Sequence, residues 1–381
     1  MKKLCAVLAG LVLFCSAVCG LNGWVNHRIR KNKEAVRNAR TYERFWSTQA
    51  QRLAMDENTL IIFGSSELVP LEDYQTNVSN FLNGADMNVM TVGAGSFQSL
   101  SHTMTLGALA GDIKSGKVAL FLSPQWFSET GITQEAFPSR FGEDALLEFL
   151  ANPNISQDNK AYVLERTLDL LSNSPAQYAR VKRYQQSLEQ NFGINDIYTR
   201  IMSGFWNIRG EFQVYRQLNT MNADLPYYDL SALDFSDILE LAEEQGEKQC
   251  TNNDFGVYDE YWTTYVQETY NEGEVIDKQQ VFTSSPEYKD LRCFLSVANE
   301  VGLEVILVSI PVNEKWYTYR GMLCDTYYEN IRSIASEYDN VSLVDMTEYA
   351  GEKYFFKDVM HLGWKGWTRI NEALYHEFTG K

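Results

Sequence analysis

Five short apolar runs that lack any alternation of polar and apolar positions constrain the fold of this chain more than any other feature. They are Leu60 to Phe63, Asn88 to Val92, Val118 to Leu122, Val305 to Ile310 and Ser342 to Val344, rich in Val, Ile, Leu and Phe. A strand with one wet face alternates. A strand covered on both faces does not, and that situation belongs to parallel sheets flanked by helices. Helical spacing at Ser99 to Ala110, Pro286 to Val301, Thr326 to Tyr338 and Trp364 to Phe378 supplies the coverings. The alternation predicts an α/β fold built on a doubly wound parallel sheet of about five strands.

Residues 134 to 280 break this rhythm. They carry helical patterns and then an aromatic, acidic tract that ends in YDEYWTTYVQETYNEGEV. At 381 residues the chain exceeds the usual single domain, so this stretch reads as a large, mostly helical insertion into a core of residues 59–133 and 281–381. It follows the third strand and would therefore rise from the carboxyl edge of the sheet, where α/β proteins bind ligands. A packing appendage without ligand contact is the plain alternative. The 45% hydrophobic and 13% aromatic content exclude a disordered chain, because enough apolar surface is present to offset the entropy of ordering.

The N-terminus is of another kind. Leu4 to Leu21 is uncharged and apolar, preceded by Lys2 and Lys3 and followed by Trp24. At about 1.5 Å per residue it just spans a hydrocarbon core of roughly 30 Å, with Trp24 at the interface. Residues 1–25 are expected to be a single-pass membrane anchor and residues 26–58 a polar, largely helical juxtamembrane stalk. A cleaved signal peptide is the rival reading, since Ser16, Ala17 and Gly20 offer small residues for cleavage.

Nine of the 33 basic residues and two of the 50 acidic ones lie in the first 45 positions, which leaves the remainder at −24. So acidic a body disfavours nucleic acid as a partner. Seven basic residues follow the apolar run, which by the positive-inside rule would keep the body in the cytoplasm. The expectation is nevertheless a cell-membrane protein with its catalytic domain outside, because the motifs belong to exported chemistry. Three of six cysteines sit in the anchor, and neither C-x-x-C nor H-E-x-x-H occurs. No disulfide framework, metal site or cofactor is expected.

Four motifs carry the chemistry. Phe63-Gly64-Ser65-Ser66-Glu67-Leu68 ends the first strand, where a serine can be presented on a sharp turn into a helix. Taken alone, a serine pair there is more often a helix cap. Asp358-Val359-Met360-His361 precedes the last helix, and its spacing lets a carboxylate orient an imidazole as general base. The other histidines, His27, His102 and His376, read as stalk or helix-surface residues. Thr91 to Ser96 follows the second strand, so that backbone N–H groups near Gly95 and Ser96 could face an oxyanion. Ser123-Pro124-Gln125-Trp126-Phe127 follows the third, where Gln125 could add a donor. All of these fall beyond strand ends or in the last loop, positions that converge on one edge of such a sheet.

This order of motifs resembles the SGNH (GDSL-type) hydrolase superfamily, with its flavodoxin-like sheet. Gly-Asp-Ser is replaced by Gly64-Ser65-Ser66, making Ser66 the matching nucleophile with His361 and Asp358. The usual Gly-x-Asn-Asp block is replaced by Ser123-Pro124-Gln125-Trp126, and the second-block glycine aligns at Gly95 or Ser96. Gly95, Ser96 and Gln125 are thus the matching oxyanion and substrate-binding positions. FGSSEL, SPQWF and DVMHLGWKGW together with the anchor more specifically resemble the DltD family of D-alanyl transfer proteins. The resemblance implies a Gram-positive cell surface and a serine acyltransferase that esterifies D-alanine to lipoteichoic acid, a glycerol phosphate polymer. It also implies action with a membrane-bound O-acyltransferase and a D-alanyl carrier protein. Glu67, beside the nucleophile, reads as an exposed loop acid. Three other functions stay open: an esterase or thioesterase that uses the same residues to remove acyl groups, a non-catalytic scaffold whose insertion binds the carrier protein or the acyltransferase, and a surface-polysaccharide O-acetyltransferase.

Overall fold

A computed structural model describes residues 2–39, 47–68, 75–189, 193–221, 225–271, 284–322 and 324–381. Its centre is a five-stranded parallel sheet of β1 (Thr59–Gly64), β2 (Asn88–Gly93), β3 (Lys117–Leu122), β4 (Glu304–Ser309) and β5 (Val341–Asp345). The spatial order is β2-β1-β3-β4-β5. This is the doubly wound arrangement that the apolar runs predict, with its topological switch between β1 and β3. The longer helices are α1 (Lys2–Lys31), α2 (Ser99–Leu109), α3 (Glu143–Ala151), α4 (Gln157–Leu170), α5 (Pro175–Glu189), α6 (Ile194–Gln217), α7 (Phe235–Gln249), α8 (Glu287–Glu300), α9 (Asp325–Ala335) and α10 (Trp364–Thr379).

Every residue of β1 is buried, and its side chains divide by parity between two cores. Ile61 and Phe63 join Val118, Leu120, Leu122, Val305 and Leu307 on one face, packed by α2, α8 and α9. Leu60 and Ile62 join Ala119, Phe121, Ile306 and Val308 on the other, covered by α10 and by Phe235 at the start of α7. Burial on both faces is why these strands do not alternate. Half-exposure along most of β5 marks it as an edge.

The segment expected as a stalk packs against this body. Val25 and Ile29 at the end of α1, with Val36, Ala50 and Ala54, are buried in the first core. Arg37 is also buried and reaches Asp56 at 2.5 Å. A polar sequence with a buried apolar stripe suits such packing as well as it suits a free stalk. Residues 40–46 of that segment, and the expected boundary at 280/281 between insertion and core, lie outside the described residues. Among the described residues the first half of α1 has no such partner. Val7, Leu8, Leu11, Val12, Leu13 and Phe14 are all more than half exposed, and Cys5–Lys31 is long and apolar enough to cross a membrane.

Candidate active site

The carboxyl ends of β1 to β4 converge on a cavity of about 230 Å³ lined by Ser65, Ser66, Glu67, Ser96, Gln98, Ser123, Gln125, Trp126, Ile310, Met360 and His361. Each strand contributes the loop that follows it. β1 and β2 approach so closely that a Cβ at Gly93 would lie 1.9 Å from the Gly64 carbonyl oxygen, so this register requires glycine at the strand end.

Beyond Gly64 the two serines turn different ways. Ser65 is buried, and its hydroxyl donates to the Ala94 carbonyl at 3.2 Å, tying the first loop to the second. Ser66, at the start of a short 3₁₀ turn, is half-buried and faces the cavity. Its Oγ lies 2.8 Å from Nε2 of His361. Nδ1 of the same ring lies 2.8 Å from Oδ2 of Asp358. The other Asp358 oxygen accepts the backbone N–H groups of Met360 at 2.9 Å and His361 at 2.7 Å. One carboxylate therefore shapes the turn and orients the ring. Burial pushes the Asp358 carboxyl up, but the His361 ring and these two N–H groups outweigh it and hold the group below the usual carboxylate range.

The loop that carries His361 is clamped from several sides. Lys357 N–H donates to the His361 carbonyl at 3.0 Å, and Gly363 N–H donates to the Phe355 carbonyl at 2.9 Å, just before α10 begins. Asn313 N–H donates to the Val359 carbonyl at 3.1 Å. Tyr258 N–H, from the insertion, donates to the Lys357 carbonyl at 2.9 Å. Among the described residues, none of those lining the cavity comes from 134–280. Among the described residues the insertion thus buttresses the His361 loop from behind.

A family model described as DltD protein matches residues 39–379. The chain belongs to the DltD family. Protein DltD of Bacillus subtilis (strain 168) is 23% identical over 98% of this chain and 97% of its own length. Protein DltD of Staphylococcus aureus (strain NCTC 8325 / PS 47) is 26% identical over 84% of this chain and 81% of its own. Protein DltD of Lacticaseibacillus rhamnosus is 22% identical over 84% and 78%. The family takes part in the D-alanylation of teichoic acids.

The remaining positions singled out from the sequence distribute unevenly around the cavity of this DltD family member. Ser96 lines it, is exposed, and sits at φ +69° in the turn closed by Phe97 N–H to the Ala94 carbonyl at 2.9 Å. That left-handed conformation costs a serine roughly 1–2 kcal/mol, and it identifies Ser96 as the position where a glycine would rest unstrained. Gly95 is adjacent but does not line the cavity, and its carbonyl accepts the Arg140 Nε–H at 2.5 Å. Gln125 lines the cavity, its amide oxygen accepting the Ser123 hydroxyl. The NH₂ remains as that side chain's donor.

Two residues differ from their sequence readings. Glu67 is a half-buried lining residue whose carboxylate folds back to accept the Ser65 N–H at 2.6 Å. Burial pushes its carboxyl above the ordinary range, against the pull of those backbone N–H groups and of His361. The room for this fold-back comes from Gly64, whose Cβ would meet Glu67 Oε1 at 2.5 Å. His102 is wholly buried, with Nε2 2.9 Å from the Gly64 carbonyl and its ring near Phe63, Phe97 and Trp126. Burial drives its pKa down to about 3, so it is a neutral imidazole donating from Nε2 behind the nucleophile turn. Four uncharged residues around it, Ser101, Thr103, Met104 and Thr105, gave that buried position a trace in the sequence.

Proposed function

We propose that the protein is an extracytoplasmic serine acyltransferase that moves D-alanyl groups to lipoteichoic acid through Ser66, His361 and Asp358. The carrying observation is the unbroken series of 2.8 Å contacts from Ser66 Oγ through the His361 ring to Asp358, opening on one cavity. With its Nδ1–H donated to Asp358, His361 keeps Nε2 free to take the Ser66 proton as Oγ attacks the carbonyl carbon of a D-alanyl ester or thioester. The same proton then passes to the leaving oxygen or sulfur as that bond breaks, and a D-alanyl ester on Ser66 remains. A glycerol phosphate hydroxyl of the polymer gives its proton to Nε2 and attacks this ester, and Oγ leaves with the proton restored.

The developing oxyanion has donors within the proposed site in the backbone N–H groups of Ser66 and Ser96 and the Gln125 amide. Glu67 is the carboxylate nearest the nucleophile in the lining, and it suits the cationic amine of the donor. The cavity is smaller than the ~300–1,000 Å³ typical of sites for drug-sized ligands, which favours a small acyl group. The membrane-bound O-acyltransferase and the D-alanyl carrier protein are the partners this reading requires, with α1 as the anchor that keeps the body beside them.

The test is intact-mass analysis of the detergent-solubilised full chain incubated with D-alanyl thioester and chased with a glycerol phosphate oligomer. The expected result is an alanyl adduct, absent in Ser66→Ala and His361→Ala, that leaves to the oligomer faster than to water. Prompt loss to water alone would make the protein an esterase, a reading favoured by the exposure of Ser96 at the cavity. Unimpaired D-alanylation in cells carrying Ser66→Ala would leave only the scaffold role.

A further inference from the structure

Helix α6 carries an apolar stripe that the rest of the described residues leave bare. Ile194, Ile197, Ile201 and Phe205 are 85, 60, 64 and 50% exposed. At 100° per residue they fall within an arc of about 80°, one narrow face of the helix. The distribution of such surface is informative. Among the described residues, the large exposed apolar side chains lie on α1, on α6 and at Tyr178 and Leu188 of the preceding α5, apart from Tyr227, Leu241 and Tyr265.

The two bare helices are joined. Continuing along the same arc of α6 leads to Phe212 and Tyr215, whose rings lie 6.2 Å apart. Tyr215 in turn packs edge-on against Trp24 of α1 at 5.0 Å. One apolar face therefore runs from the exposed Ile194 along α6, through the half-buried Phe212 and Tyr215, to the point where α1 leaves the body, and then along the exposed half of α1. Its margins suit an interface, with Arg183 stacked over Tyr198 at 4.8 Å and Arg209 over Trp206 at 5.0 Å. Arginine and aromatic side chains bordering an apolar stripe are the composition of helices that lie in the headgroup region of a bilayer.

We infer that a phospholipid surface covers this stripe, so that α6 lies flat in the headgroup region beside the emerging anchor. The inference rests on reading α1 as a membrane anchor. Its consequence is a body attached at two places, α1 through the bilayer and α6 along it, which fixes the tilt of the catalytic domain as a single tether could not.

The test uses the full chain, with Cys5, Cys15 and Cys19 changed to Ala, reconstituted alone in phosphatidylcholine–phosphatidylglycerol vesicles. A nitroxide is placed in turn at Leu13→Cys, Ile201→Cys and Tyr265→Cys, positions 71, 64 and 69% exposed. Collision with oxygen, which partitions into lipid, is compared with collision with a water-soluble nickel complex. The inference expects the oxygen-to-nickel ratio at Ile201 to be several-fold above that at Tyr265 and close to that at Leu13. A high ratio at Leu13 with a Tyr265-like ratio at Ile201 overturns the lipid-bound stripe and leaves the anchor standing. A low ratio at Leu13 overturns both. Shielding of Ile201 that arises only when the membrane acyltransferase is added overturns lipid as the occupant and assigns the stripe to that protein.

Discussion

Replacing Asp358 by Asn separates the orienting role of this carboxylate from its structural one. Oδ1 holds the turn through the N–H groups of Met360 and His361, at 2.9 and 2.7 Å, while Oδ2 faces Nδ1 of the ring. In Asp358→Asn the amide oxygen keeps the two backbone bonds, which places the NH₂ where Oδ2 stood. The NH₂ is a donor and demands an acceptor at Nδ1, so the ring proton moves to Nε2. Nε2 then points a proton at Ser66 Oγ from 2.8 Å and cannot receive one. Tautomer reversal of this kind lowers kcat about 10⁴-fold in serine proteases, equivalent to roughly 5.5 kcal/mol of transition-state stabilisation. A loss of about 10³- to 10⁴-fold is expected here in single-turnover acylation followed by intact mass. Nitrogen NMR of ¹⁵N-histidine protein should show the proton moving from Nδ1 to Nε2 of His361 with the fold unchanged. A variant within tenfold of wild type, or a large loss with the native tautomer retained, would refute the orienting role.

The serine pair gives a second contrast. Ser65→Ala removes one hydrogen bond to the Ala94 carbonyl and should cost about 1 kcal/mol in chemical unfolding while the alanyl adduct still forms; Ser66→Ala should abolish the adduct with unchanged stability. His102 predicts a pH dependence of stability. Its pKa of about 3 in the folded protein lies below the ordinary value of 6.5, so the unfolded chain takes up a proton below pH 6.5 that the folded protein refuses. The resulting stability is full above pH 6.5 and falls by about 1.4 kcal/mol per pH unit down to about pH 3, or roughly 2 kcal/mol by pH 5. His102→Gln lacks this dependence, so the stability gap between wild type and variant should narrow by that amount between pH 7.5 and pH 5. An unchanged gap would mean that His102 is accessible to protons. Gly93→Ala forces its Cβ onto the Gly64 carbonyl at 1.9 Å and should destabilise by about 2 kcal/mol or more while slowing acylation. Gly95→Ala, with no atom within 4 Å of the added Cβ, should be close to neutral on both measures.

Charge sets one requirement on any acceptor. The chain beyond residue 45 carries −24, and a glycerol phosphate polymer is itself an anion, so long-range attraction does not bring the two together. Under the proposed function their encounter rests instead on confinement to the membrane surface, which makes the placement of the body above that surface the controlling variable. A domain held at two points presents its cavity at a fixed height. One held only by α1 would sample many orientations of which few are productive.

The sheet was legible because burial on both faces of a parallel strand leaves only apolar residues to write, and the five runs stand within two residues of the observed strands. That Ser66, His361 and Asp358 meet was also legible, since a serine loop at the end of the first strand and a D-x-x-H loop before the last helix fall on one edge of such a sheet. What surrounds them was not. Glu67 has the composition of a surface acid, and only the vacancy at Gly64, a tertiary fact, allows it to fold back onto the Ser65 N–H. His102 was misplaced for a related reason. Its helix is buried over nearly all its surface, so the pattern has no polar face to show which side points inward. In such a helix a titratable residue cannot be assigned to solvent by elimination. The uncharged stretch from Val89 to Gly111 is the better guide, because a histidine within so long a run without charge sits where its own charge would also be excluded.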